Sequence, residues 1–171
     1  WLCFPLLHRV VLTTRPSRSG KAYASIWNKE KNESPLRTFT RAQGEALAEI
    51  MSGNPEIVVD WAMRYGNPSI DSVVKRMRDN GCDRILVFPL YPHYSASTTA
   101  TVNDEVFRSL MKMRFQPSVR TVPSYHDDLV YIDALAVSIE KHLANLAFKP
   151  DVIIASYHGV PKTYLLKGDP Y

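Results

Sequence analysis

The sequence predicts an α/β protein, an open parallel sheet flanked by helices. Short runs rich in β-branched residues recur along the chain, among them Ile57-Val58-Val59, Ile85-Leu86-Val87 and Val152-Ile153-Ile154. They carry no charge, the pattern of parallel strands covered on both faces. Segments with helical spacing of apolar residues separate them, and strand–helix alternation at this rhythm closes into a parallel sheet through crossovers.

Taken in order, Trp1 to Leu12 is mostly large and apolar, suiting half of a core helix or a lip over an apolar pocket. A basic loop is expected next, punctuated by Arg15-Pro16 and Ser19-Gly20, then a short helix over Ala22 to Trp27 and a polar run to Ser34. From Thr40 the spacing of Ala42, Leu47 and Ile50 is helical, and Ser52-Gly53-Asn54-Pro55 stops it. Ile57 to Met63 reads as a buried strand. Asn67-Pro68 reads as cap and first-turn proline of a helix with Ile70, Val73, Val74 and Met77 inward, ended by Asn80-Gly81. Arg84 to Leu90 is a second strand, Val102, Val106, Leu110 and Met113 mark a third helix, and Val119 to Val122 is a third strand. Asp127 is expected to cap a long helix with Leu129, Ile132, Leu135, Ile139 and Leu143 inward, and Val152 to Ala155 is a fourth strand.

Composition narrows the function classes. With 171 residues, 45% apolar and 22% charged, the chain has room for one domain or one and a fraction. No apolar stretch approaches the roughly 20 residues that cross a bilayer. Cys3 and Cys82 are too few for a disulfide framework or a four-ligand zinc site, so a reducing compartment is expected. The chain starts without methionine and stops at Gly168-Asp169-Pro170-Tyr171, which reads as a piece of something longer. Residues 8–41 hold eight Lys or Arg against Glu30 and Glu33, whereas the rest holds thirteen bases and fifteen acids. Such a stripe is either a solvated face or an attractor of anions: lipid head groups, phosphates or a carboxylated ligand. It lacks any nucleic-acid-binding module, so nucleic acid is not an expected partner.

Ligands of open parallel sheets sit beyond the carboxyl ends of the strands. Four segments qualify: Arg64-Tyr65-Gly66, Tyr91 to Thr99, Pro123 to His126, and Ser156 to Pro161. No glycine-rich dinucleotide or phosphate loop follows any strand, and neither a His-Glu-x-x-His nor a paired-cysteine metal signature exists. Ser156 has no nucleophile elbow around it.

His158, at a strand end and framed by Gly159 and Pro161, can accept a proton near neutrality or bind a borderline metal ion. A loop histidine bonded to a neighbouring carbonyl is the plain alternative, and His8, His126 and His142 are read that way; His93 is undecided. Arg64-Tyr65 is either a surface pair or a cation and flat aromatic offered to a ligand, and Tyr91 and Tyr94 pose the same choice. Four such loops at one crevice would suit a large, flat, partly apolar ligand with anionic arms.

Ser156-Tyr157-His158-Gly159-Val160-Pro161, followed by Leu166-Lys167-Gly168-Asp169-Pro170-Tyr171, resembles the signature of the ferrochelatase family, which inserts ferrous iron into a porphyrin. Glu33-Ser34-Pro35-Leu36 with Thr40 and Gln43, Met63 to Pro68, and Leu90 to Thr99 recur in the same order in that family. The resemblance covers nearly the whole chain.

It implies two Rossmann-like lobes with the porphyrin between them, and here an incomplete version. Residues 1–124 would be the first lobe without its first strand, and 125–171 the connecting helix and first strand of the second. It implies that His158 is catalytic and meets the metal, as proton acceptor or as iron ligand, and that Arg64, Tyr65, Tyr94, Ser34 and Gln43 contact or support the porphyrin. Arg15 or Arg18 would pair with propionates, and Leu2 to Leu12 would be a lip at the membrane. The implied reaction is formation of protoheme from protoporphyrin IX and Fe(II), the last step of heme biosynthesis, in the cytoplasm or at the inner-membrane surface. Iron is a substrate and no resident cofactor is required; Cys3 and Cys82 fit no iron–sulfur pattern, and a cluster elsewhere in the parent stays open. A non-catalytic tetrapyrrole-binding module, or a chelatase for coproporphyrin or another metal, are the alternatives.

Overall fold

The computed structural model describes residues 12–171, with side chains described from residue 19 onward. It is an α/β protein with helices and a small open parallel sheet of two strands among the described residues. Two compact units divide at Ser69 and Ile70.

In the first unit, helix α1 spans Leu12–Ile26. It replaces the expected basic loop, running through Pro16 and Gly20 without a break. Proline's fixed φ is itself helical and Gly costs only about 1 kcal/mol, so both weaken a helix before they end one. Asn28 and Glu33 then form an antiparallel bridge around a tight turn, with Asn32 at φ 49°. Helix α2 spans Pro35–Met51, five residues earlier than Thr40. Its start is the Ser34-Pro35 pair: the Arg37 amide donates to Ser34 Oγ at 3.2 Å, and proline sits in the first turn where an amide would be unpaired anyway. Gly44 of α2 lies against Trp61, where a Cβ would fall 2.9 Å from Trp61 Cβ.

Ile57 to Met63 is not a strand. Only Met63 forms a bridge, to Ser69, and Ile57 and Val58 are about half exposed. Strand composition marks a fit to a half-buried pleated surface, and among the described residues no neighbouring strand supplies one. Asn67-Pro68 is a cis peptide, not a helix cap.

In the second unit, α3 (Ile70–Asp79) buries Ile70, Val73 and Val74 as expected. Its end is a Schellman motif: Cys82 N–H donates to Met77 O, Gly81 N–H to Arg78 O, and Gly81 takes φ 88°. Strand β1 (Arg84–Val87) leads through α4 (Thr99–Met111) to β2 (Ser118–Thr121). The two strands pair in parallel, Arg84 opposite Ser118 and Val87 opposite Thr121. β1 is shorter than the expected strand and Leu86 is exposed beside buried Ile85. Val106 and Leu110 of α4 are buried and α4 packs on α3, completing the core.

Helix α5 (Leu129–Ala144) is capped by Asp128, not Asp127; the Asp128 carboxylate accepts from the Val130 and Tyr131 amides. No residue of α5 is buried, and Leu129, Ile132, Leu135 and Ile139 are exposed, against expectation. Val152 to Ala155 forms no strand, and Ile154 is 85% exposed. A last short helix, α6 (Lys162–Leu166), closes the described chain. The expected lobes, 1–124 and 125–171, are a division of another kind from these compact units.

Candidate active site

The loop after β1 and the loop after β2 leave the sheet at its carboxyl ends, side by side because the strands are parallel. They are held together by Tyr125, whose amide meets Pro92 O and whose hydroxyl meets Pro89 O at 3.4 Å. Its ring packs on Phe88 and meets Tyr131 edge-on, and its burial raises the phenol pKa. On the same loops His93 and His126 stack at 4.9 Å, and Tyr171 stands edge-on to His93 at 5.9 Å. The undecided His93 thus belongs to an imidazole–phenol cluster, and His126 shares it.

The third member is the chain from α6 onward. Asp169, buried, places Oδ2 2.9 Å from Ser95 Oγ and 2.8 Å from the Ala96 amide, while Oδ1 accepts from the Tyr171 amide at 3.2 Å. The Ala96 amide first, then the Tyr171 amide and the Ser95 hydroxyl, hold this carboxyl below the usual carboxylate range against the opposing cost of burial. Neither Ser95 nor Asp169 stood out as a site residue in the sequence. Both lie inside the segments that carry the family resemblance, and that is the signal that could have found them.

The expected residues fall as follows. In the second unit, His158 and Tyr94 are both exposed. Among the described residues His158 has no hydrogen-bond partner, so its imidazole is not spent on a carbonyl. In the first unit, Arg64 lies over the Tyr65 ring at 4.5 Å, and Tyr65 is 70% exposed. Ser34 caps α2, and Gln43 is exposed on the same helix. Beside Ser34, buried Glu33 gathers the Arg37 and Arg41 guanidiniums and the Thr38 hydroxyl. Arg15 lies in α1 with its side chain outside the described residues, as is the side chain of Arg18; Leu2 to Val11, Cys3 and His8 are outside altogether. Cys82 is a half-buried free thiol. Among the described residues no three His, Cys, Asp or Glu side chains cluster to hold a metal ion.

A parallel sheet with imidazoles and phenols on its carboxyl-end loops, and a buried carboxylate from the segment after α6 tied to them, has the layout of the open-sheet α/β class, whose ligands sit at that end. The ferrochelatase family profile matches residues 1–171. Curated ferrochelatases of Brucella anthropi, at 66% identity, and of Brucella ovis and Brucella suis, each at 65%, align over 168 residues, 98% of this chain and 48% of each relative. The chain belongs to the ferrochelatase family. It spans about half the length of the curated relatives it matches.

Proposed function

We propose that the whole protein inserts ferrous iron into protoporphyrin IX, the lyase reaction that completes protoheme. The observation that carries this reading is the family match over residues 1–171, which takes in His158 and its Gly159-Val160-Pro161 frame. In the reaction two pyrrole N–H bonds break, the iron bonds to the ring nitrogens, and two protons leave. A base open to the ligand is required, and an exposed imidazole without a hydrogen-bond partner among the described residues is one. Neutral imidazole also suits a borderline cation, so His158 serves as proton acceptor or as the ligand that delivers iron.

The other expected residues have roles that their surroundings support. Tyr65 offers a flat face already backed by the Arg64 guanidinium, and Tyr94 offers a second phenol on the loop after β1. Ser34 Oγ accepts from the Arg37 amide, which leaves its own proton free to donate. Gln43 adds an exposed amide on the helix that Ser34 caps. Arg15 pairs with a propionate in this reading. The substrate is greasy and carboxylated, and the apolar Leu2 to Leu12 followed by Arg15 and Arg18 suits a membrane surface, so we place the reaction in the cytoplasm against the inner membrane. No described helix is long and apolar enough to cross a membrane.

The test is Fe(II) or Zn(II) insertion into protoporphyrin by the full-length protein, followed through the Soret band. His158→Ala is expected to lose nearly all turnover while still shifting the porphyrin spectrum on binding. Full turnover by this variant at saturating metal and porphyrin would remove His158 from the mechanism.

A further inference from the structure

Asp169 lies eleven positions after His158, and from Pro161 onward the chain between them is held by a short helix and its cap. Pro161 precedes α6, whose first turn is closed by Tyr164 N–H donating to Pro161 O at 2.8 Å. The helix ends in a second Schellman motif: Gly168 N–H donates to Leu165 O and Asp169 N–H to Tyr164 O, each at 3.0 Å, with Gly168 at φ 91°. The Asp169 backbone is therefore part of the α6 cap, and its carboxylate reaches across 74 residues to Ser95. Ser95 is fully buried and its carbonyl accepts from the Thr98 and Ala100 amides at the start of α4. Tyr94 is the residue before it.

We propose that Asp169 is a positioning residue, whose carboxylate clamps the α6 segment bearing His158 and Tyr171 to the loop bearing His93 and Tyr94, and so fixes His158 relative to Tyr94. Two of the three hydrogen bonds to Asp169 come from the loop after β1, from the buried Ser95 hydroxyl and the Ala96 amide, and the third from the Tyr171 amide two residues on. A buried carboxylate with its lone pairs occupied is a firm anchor, because leaving any of those donors unpaired carries the full desolvation penalty. The carboxylate itself touches no ligand; it acts through the placement of the imidazole. The proposal rests on the chelatase reading, so its test has one arm with turnover and one without.

In the full-length enzyme, Asp169→Ala is expected to lower kcat on the order of ten- to a hundredfold, the effect of misplacing a reacting group by about 1 Å. KM for porphyrin is expected to change about twofold or less, since the crevice residues are untouched. Asp169→Asn keeps one oxygen for Ser95 and Ala96 and is expected to restore most of kcat. Ser95→Ala removes one donor only, and the Ser95→Ala, Asp169→Ala double variant is expected to be no slower than Asp169→Ala alone. In the full-length protein, hydrogen exchange of the Ala96 amide is expected to quicken in Asp169→Ala. Unchanged exchange, or quickened exchange with unaltered kcat, overturns the proposal, as does a KM that rises while kcat holds. Should Asp169→Ala fail to fold, Asp169→Asn and Ser95→Ala carry the same comparison. A wild-type enzyme that metallates no porphyrin defeats the proposed function, and exchange at Ala96 then still upholds or overturns the clamp itself.

Discussion

His158 and Asp169 are separated by eleven positions and sit in opposite electrostatic circumstances. One is an exposed imidazole without a partner; the other is a buried carboxylate with three donors. Because the Ala96 amide and its fellow donors lower the Asp169 pKa in the folded state, the bonds add stability above the unfolded carboxylate pKa. That contribution is lost as pH falls through the depressed folded value. Urea midpoints measured from pH 7 downward should therefore hold down to the ordinary carboxylate range and fall within and below it, and Asp169→Asn should flatten that fall. Glycines at positive φ give a second residue-scale expectation. Gly81→Ala and Gly168→Ala should each cost about 1–2 kcal/mol in the left-handed region, read by denaturant melts, although neither position is sterically crowded. Gly168→Ala should also quicken exchange at Ala96, and Gly81→Ala should not.

At the scale of elements, helix α2 hangs on its cap. Ser34→Ala should destabilise the chain by about 1 kcal/mol and Ser34→Thr by much less, because the Arg37 amide then keeps its acceptor. Gly44→Ala would ordinarily favour a helix by about 1 kcal/mol. Here the new methyl meets Trp61 Cβ, an atom close to the backbone, so the variant should melt earlier and shift the tryptophan emission. These elements also show what the sequence makes legible. The stripe of α3 and its Asn80-Gly81 stop are local signals, and they hold because Ile70, Val73 and Val74 meet α4. The start of α2 is written in Ser34-Pro35, whereas the apolar spacing of the helix begins several residues after the cap. The runs at 57–59 and 152–154 have strand chemistry, yet a strand is made by its neighbour, and no described segment pairs with them. The site divides in the same way. His158, Tyr94 and Arg64-Tyr65 show in the sequence through their chemistry, whereas the Ser95–Asp169 bond joins residues 74 apart that look like ordinary loop polars.

For the whole molecule, the exposed apolar residues of α5, with Val152, Ile153 and Ile154, decide the behaviour of the 171-residue chain in solution. Near the end of α5, an open depression of about 730 Å³ is lined by Leu143, Leu146, Phe148, Pro150 and Ile153 among others. Surface of this kind binds hydrophobic dyes and promotes association. The chain should enhance 8-anilinonaphthalene-1-sulfonate fluorescence and sediment with rising mass as concentration rises; a monodisperse monomer with one sharp melt would contradict this. Porphyrin should bind to it without being metallated, since the chain spans about half the length of its relatives. The Ser95–Asp169 bond also sets a schedule for biosynthesis. The ribosome makes Ser95 long before Asp169, and at roughly 5–20 residues per second the intervening 74 residues take roughly 4–15 s. Until then the nascent loop has only Ser97 beside the Ser95 hydroxyl, so the second unit matures late, after its penultimate turns have cleared the exit tunnel.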